Sequence, residues 1–270
     1  RKAVELTINL AHESLCILPV TTLRQICPHY AVLEAIWYLR GEDHVRFLQR
    51  HNVKFWDKQA RGDGWVGFNY GLLTAYASAD DKTPFNQLEQ NVLQPLCQNR
   101  SSRNMVCSLS KPGEETVQQA CTSSVQFAVA KSADGVETLD LTVTQRSSDF
   151  ILGLPHDVVV WSVILHLVRR EVRIRSGPIL RAGHLHFCIS SGGAHVYDIN
   201  SDNMESLLER KPKPDVLPTL GVDDSRGAVG LFELVKTYDD NAWSGPPRLR
   251  VAGYHPSKDS HPRINVEQAL

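Results

Sequence analysis

The stretch Gln145-Arg146-Ser147-Ser148-Asp149-Phe150-Ile151-Leu152-Gly153-Leu154-Pro155-His156-Asp157 joins two different hydrophobic patterns through a run of five polar residues. Upstream, residues 136–145 alternate Val136, Leu139, Leu141 and Val143 with polar neighbours, the period of a half-buried strand. Downstream, Pro155 opens a helix predicted to run to about Arg169. It is too apolar for a surface position and belongs at the centre of the fold. A polar turn between a strand end and a central helix is a place where a buried site is built.

Working outward, residues 3–10, 104–109, 121–131 and 183–190 read as strands, as do segments near 230–237 and 247–254. Asp134-Gly135 is a hairpin turn joining two of them. A helix is predicted over about 30–40 from Val32, Ile36, Trp37 and Leu39, with Gly41 as its C-terminal stop. A short one follows over 43–51. Thr83-Pro84 starts another that carries Phe85, Leu88, Val92, Leu93 and Leu96. Residues 202–210 form a polar helix, and 211–229 read as loop. Helices and strands are interspersed without a strict strand–helix–strand rhythm. The prediction is an α+β fold in one domain, 1–270, with a mixed or mostly antiparallel sheet.

Composition narrows the function. Of 270 residues, 29 are Lys or Arg and 30 Asp or Glu, a net charge of −1, and 42% are hydrophobic. That is the profile of a folded globular protein, and near-zero charge argues against a nucleic-acid partner. No apolar run approaches the roughly 20 residues of a membrane span. The chain begins at Arg1, and its opening RKAVELTINL reads as a strand rather than a secretory leader. Six cysteines without a CxxC pair read as reduced thiols, and the expected location is the cytoplasm.

Gly62-Asp63-Gly64-Trp65-Val66-Gly67 fits a dinucleotide-binding pattern, but polar Lys58-Gln59-Ala60-Arg61 precedes it where a strand is needed, so it reads as a loop. The stronger constellation is Cys121 at a strand start, the polar group 145–149, and Gly193-Ala194-His195-Val196-Tyr197 after another strand. Taken singly, a cysteine is usually core and an Arg–Asp pair an ion pair. Together they offer a thiol nucleophile, an anion-binding arginine, a carboxylate and a hydroxyl-binding His/Tyr pair.

In that order along the chain, these motifs resemble the thymidylate synthase family. LPVTTLR (18–24), EAIWYLRG (34–41), VKFWD (53–57), Asn69-Tyr70-Gly71 and the C-terminal GYHPSKDSHPRINVEQAL extend the resemblance over almost the whole chain. It implies Cys121 as nucleophile, Glu34 organising water and proton transfer, Tyr70 assisting loss of the C5 proton, and Trp56 flanking the reacting carbon. It implies nucleotide binding by Gln145, Arg146, Ser147, His195 and Tyr197, with Arg103 lent by the partner of a homodimer. Methylenetetrahydrofolate would be the co-substrate, met by Trp56, Asp149, Gly153 and Leu270, and no metal is implied.

The departures from the methylating synthases are informative. Those enzymes have asparagine where this chain has Asp157. A carboxylic acid can accept from the cytosine amino group and, when protonated, donate to N3. Cys121 is flanked by Ala120 and Thr122, where synthases usually have Pro-Cys-His. Both changes resemble the deoxycytidylate hydroxymethylase branch. Phage-type enzymes keep a fuller arginine pair, which tilts the resemblance towards the bacterial cytidylate hydroxymethylases of nucleoside-antibiotic biosynthesis, while these motifs do not themselves separate CMP from dCMP. Only Arg103 is kept of the family's arginine pair. The rival expectations are a thymidylate synthase methylating dUMP, a catalytically silent nucleotide-binding homologue, and a Cys/His hydrolase. Arg146 is expected to lower the pKa of the Cys121 thiol.

Overall fold

A computed structural model describes residues 3–11, 16–21, 23–67, 70–76, 85–110, 119–177, 180–211, 217–225, 227–239 and 249–253. Nine strands and six α-helices are found among them. In chain order they are β1 (Val4–Asn9), α1 (Pro28–Leu39), α2 (Arg46–Arg50), α3 (Gln94–Gln98), β2 (Val106–Ser108), β3 (Thr122–Lys131), β4 (Glu137–Gln145) and β5 (Ser148–Asp149). There follow α4 (Gly153–Ser176), β6 (Arg181–Ile189), β7 (Ala194–His195), α5 (Ser201–Glu209), β8 (Thr219–Val222), α6 (Leu231–Lys236) and β9 (Leu249–Ala252).

The main sheet has the order β1-β6-β4-β3-β2. β4 and β6 are parallel and the other pairs antiparallel, so the sheet is mixed as predicted. The parallel pair follows from chain economy: α4 is the crossover that returns the chain to start β6 beside β4. The alternation in β3, β4 and β6 sends Val125, Phe127, Leu139, Leu141, Val143, Leu185, Phe187 and Ile189 to one buried face. That face is covered by α4, which packs in turn on α1. Both helices bury Trp37, Trp161, Leu33, Ile164 and their neighbours completely. Among the described residues no helix is long and apolar enough to cross a membrane.

The opposite face is polar and half exposed. There Asp140, His184 and His186 gather, one ligand-capable atom of each within 4.8 Å of the others. The first and last already have local duties. At a register shift between β4 and β6, Asp140 Oδ1 accepts the His184 backbone N–H at 2.8 Å, and His186 Nδ1 lies 3.0 Å from Thr7 Oγ1. Gly183 makes this possible, because any Cβ there would overlap the Asp140 carboxylate.

Several boundaries differ from expectation. Residues 231–236 form a helix, not a strand: buried Leu231, Leu234 and Val235 fall at i, i+3 and i+4, a helical stripe. α4 runs seven residues past Arg169, and Arg175 near its end bonds Glu171 one turn back and both oxygens of Glu89. Within the expected loop 211–229, Thr219–Val222 pairs with β9. Thr83-Pro84 lies outside the described residues. The helix after it starts past Asn86, whose Oδ1 accepts the Glu89 amide, and is π-helical over Leu88–Leu93 before α3. The glycine-rich segment 62–67 is a loop, as read from sequence. Gly64, at φ +87°, leaves no space for a side chain, since a Cβ would lie 2.6 Å from the His44 ring.

Candidate active site

The β3–β4 hairpin puts the two halves of the polar constellation side by side. Thr122 pairs with Gln145 in register, and the Arg146 amide donates to the Cys121 carbonyl at 2.8 Å. β5 lies parallel to β7, with Asp149 opposite His195. The Ser148 and Phe150 amides donate to Gly193 and His195 carbonyls at 2.9 and 3.0 Å. Cys121, 145–149 and 193–197, far apart in sequence, therefore form one edge above the N-terminus of α4.

Arg146 extends towards the segment preceding Cys121. Its Nε donates to the Ala120 carbonyl at 3.0 Å and its Nη2 to that of Gln119. The expected acidification of the thiol is not what results. Burial raises the Cys121 pKa most, Arg146 pulls it down, Asp157 pushes it up again, and the net direction is upward. A single arginine occupied by carbonyls does not offset the loss of water around a half-buried sulfur.

Glu34 is the hub on the other side. It lies in α1, its side chain only 4% exposed. Oε1 accepts the Trp56 indole N–H at 2.7 Å and the Tyr38 hydroxyl. Oε2 meets His156 Nε2 at 2.6 Å. Tyr38, one helical turn after Glu34, packs edge-on against Tyr70 with ring centroids 4.8 Å apart. The Tyr70 hydroxyl accepts the Thr122 amide at 3.1 Å, one residue after Cys121. Burial and nearby Asp157 raise the Tyr70 pKa well above its ordinary value, so it stays a neutral phenol.

Asp157, in the first turn of α4, accepts from Gln145 Nε2 at 2.7 Å through Oδ2. Gln145 Nε2 also reaches Thr122 Oγ1 at 3.3 Å. Burial first, then the Glu34 carboxylate, push the Asp157 pKa up to about 7, against Gln145 and His156, which favour the anion. Near neutral pH this group is therefore a donor or an acceptor as occasion demands. Gln145 Oε1 and Ser148 Oγ are buried with no hydrogen-bond partner, polar atoms that a ligand would satisfy.

The remaining predicted residues fall as follows. His195 and Tyr197 pack edge to face at 4.9 Å, His195 Nδ1 lies 2.9 Å from the Gly193 carbonyl, and Tyr197 is exposed. Ser147 sits in the turn between Arg146 and β5. Asp149 Oδ1 accepts the Ile151 and Leu152 amides at 2.8 and 3.3 Å, holding the turn into α4, with Gly153 next to it. Trp56 thus meets Glu34, and Asp149 holds the turn that leads into α4. Arg103 is exposed, and its carbonyl accepts from the Gln126 side chain at 3.5 Å. Gln126 is about 15 Å along β3 from Cys121, so within one subunit Arg103 is not brought to the thiol. Leu270 and Asn69 lie outside the described residues. Tyr38 and His156 belong to the site, yet the sequence reading does not single them out. Tyr38 is readable as the residue one turn from Glu34; nothing in the sequence connects His156 to a residue 122 positions away.

Residues 3–261 match the family model described as Thymidylate synthase. The thymidylate synthases of Coxiella burnetii strains Dugway 5J108-111, RSA 331 / Henzerling II and RSA 493 / Nine Mile phase I are each 28% identical to this chain over 254 residues. The match covers 93% of this chain and 84% of each relative.

Proposed function

Since the chain belongs to the thymidylate synthase family, whose members transfer a one-carbon unit from methylenetetrahydrofolate to a pyrimidine nucleotide, we propose that it is a cytidylate 5-hydroxymethyltransferase. Its substrates are CMP or dCMP, methylenetetrahydrofolate and water. The observation that carries this reading is Asp157. Its pKa of about 7 lets the protonated acid donate to cytosine N3 while its other oxygen accepts from the amino group. Uracil presents the opposite edge and would leave O4 facing an acceptor.

Pyrimidine C5 is a weak nucleophile. Addition of the Cys121 thiolate to C6 makes C5 an enamine carbon that attacks the one-carbon unit of the co-substrate. Since the thiol pKa is raised in the free chain, the thiolate must form as the nucleotide fills the site. An arriving phosphate and base would displace Arg146 from the Gln119 and Ala120 carbonyls or complete its shell. Tyr70, whose hydroxyl accepts the Thr122 amide, assists loss of the C5 proton. Departure of tetrahydrofolate leaves an exocyclic methylene on the pyrimidine. Water then adds to that carbon, C5=C6 re-forms, and the Cys121 sulfur leaves. Arg146, Ser147, Gln145, His195 and Tyr197 bind the nucleotide, Trp56, Asp149, Gly153 and Leu270 meet the co-substrate, and Arg103 serves the site of the other subunit in a homodimer.

The identity to synthases supports a second reading, methylation of dUMP. Incubation with methylenetetrahydrofolate and CMP, dCMP, UMP or dUMP separately, with product masses measured, decides between them. A product heavier by the mass of CH2O from a cytosine nucleotide is expected; a methylated uracil nucleotide refutes the proposal. Asp157→Asn should lower the cytosine-to-uracil ratio of kcat/KM roughly 10-fold or more, the equivalent of one unsatisfied buried polar group, and an unchanged ratio removes Asp157 as selector.

A further inference from the structure

We propose that His156 is a catalytic residue of this reaction, the base that takes the proton from the attacking water. The inference rests on the hydroxymethylase reading above.

Water addition needs a base near the methylene carbon. Glu34, the obvious carboxylate, is poorly suited to be that base directly. Its two oxygens are engaged by three side chains: Trp56 and Tyr38 donate to Oε1, and His156 Nε2 stands 2.6 Å from Oε2. A carboxylate that accepts on Oε1 twice over also accepts on Oε2, so Nε2 carries the imidazole proton. The lone pair then resides on Nδ1, for which no hydrogen bond is found among the described residues. This is the arrangement in which a buried carboxylate fixes the tautomer of a histidine and aims its other nitrogen as a base.

Position supports the assignment. His156 immediately precedes the base-reading Asp157 in the first turn of α4. Its ring meets Phe55 edge to face at 4.9 Å, and Phe55 immediately precedes Trp56, which the proposed function sets against the co-substrate. The His156 side chain is 17% exposed against 4% for Glu34, so the imidazole is the member of the pair that water can reach. Nothing in packing alone requires a histidine in this place; an aromatic hydrocarbon would fill the same gap against Phe55.

The step balances simply. The water O–H bond breaks and its proton passes to Nδ1 while oxygen bonds the exocyclic carbon. The methylene electron pair moves into the ring, C5=C6 re-forms and the Cys121 C–S bond breaks. The imidazolium, stabilised by Glu34, returns its proton to solvent.

His156→Phe and His156→Asn are compared with wild type, using cytidylate labelled with tritium at C5, methylenetetrahydrofolate and an added thiol. Tritium release reports every step up to the methylene, and product mass reports what captures it. His156→Phe should lose about 100-fold or more of hydroxymethyl product, while tritium release stays within threefold and the methylene is diverted to a thiol adduct. Imidazole in the buffer should restore hydroxymethylation. His156→Asn can still donate to Glu34 but has no basic nitrogen; it should fail like the phenylalanine variant. Hydroxymethylation within threefold of wild type in either variant overturns the proposal. So does a parallel fall of tritium release and product that imidazole does not relieve, since His156 would then only support the site. A wild-type enzyme that forms no hydroxymethyl product refutes the underlying reading instead, a result visible before any variant is made.

Discussion

Replacing Asp157 with asparagine should change how stability depends on pH. In the folded protein the carboxyl titrates at about 7 rather than at its ordinary 3.8, chiefly because of burial and then the Glu34 charge. The folded state thus holds a proton between about pH 4 and 7 that the unfolded chain has released. By linkage, stability falls as pH rises through this window and is level above it. A shift of about 3 pH units corresponds to about 4 kcal/mol. Asp157 is only partly covered, so water screens part of this, and about 2 kcal/mol is the reasonable expectation. The asparagine of the variant keeps a carbonyl to accept from Gln145 Nε2 and carries no titrating group. The variant and wild type should melt together near pH 4, and the variant should melt about 4 °C higher at about pH 8, at about 2 °C per kcal/mol for a chain this long. Differential scanning calorimetry at fixed protein concentration across that pH range gives the two curves; groups common to both cancel in their difference. A constant gap across the range would refute the reasoning, because Asp157 would then titrate alike in the folded and unfolded chain.

Cys121→Ser should abolish turnover, at least 1000-fold in order of magnitude, because an alkoxide is not available near neutral pH; nucleotide binding, followed by tryptophan fluorescence, should remain. Gly183→Ala should destabilise by about 2 kcal/mol through overlap with the Asp140 carboxylate, read as a drop in urea midpoint without change in slope. Arg103→Ala should raise the KM for nucleotide about 10-fold with kcat little changed. Mixing it with Cys121→Ser should regenerate active sites in exchanged dimers, whereas absence of any recovery would place Arg103 in its own subunit's site or outside it.

Much of this is legible in the chain. The strands around Cys121 and Gln145 carry a two-residue alternation, and the Asp134-Gly135 turn joins them in the register that sets Cys121 beside Arg146. The α1 and α4 stripes are unambiguous because both helices are buried on nearly every side. What misleads is short or electrostatic. A six-residue helix such as Leu231–Lys236 offers barely two turns of periodicity, and its Leu, Phe and Val content mimics a strand. The four residues of Thr219–Val222 take their strand character from tertiary pairing, with Leu249–Ala252 on one side and the Ile17 bridge on the other. The acidity of Cys121 turns on a balance between burial and Arg146 that no spacing encodes. The His156–Glu34 pair depends on how two helices meet, and sequence shows each helix without the other.

The hairpin of β3 and β4 has its chemistry entirely at one end. Cys121 and Gln145 stand where the ladder opens, while Asp134-Gly135 closes it about 30 Å away, nine residue pairs at about 3.3–3.4 Å each. The tip is exposed and held by its own bonds, Ser132 to Val136 and Gly135 to Ser132. A dye, a peptide tag or a whole reporter domain spliced between Ser132 and Val136 would ride at the far end of a stiff two-stranded rod. The fold thus contains a ready attachment point for immobilising the protein or tracking it, remote from Cys121 and Gln145 at the open end.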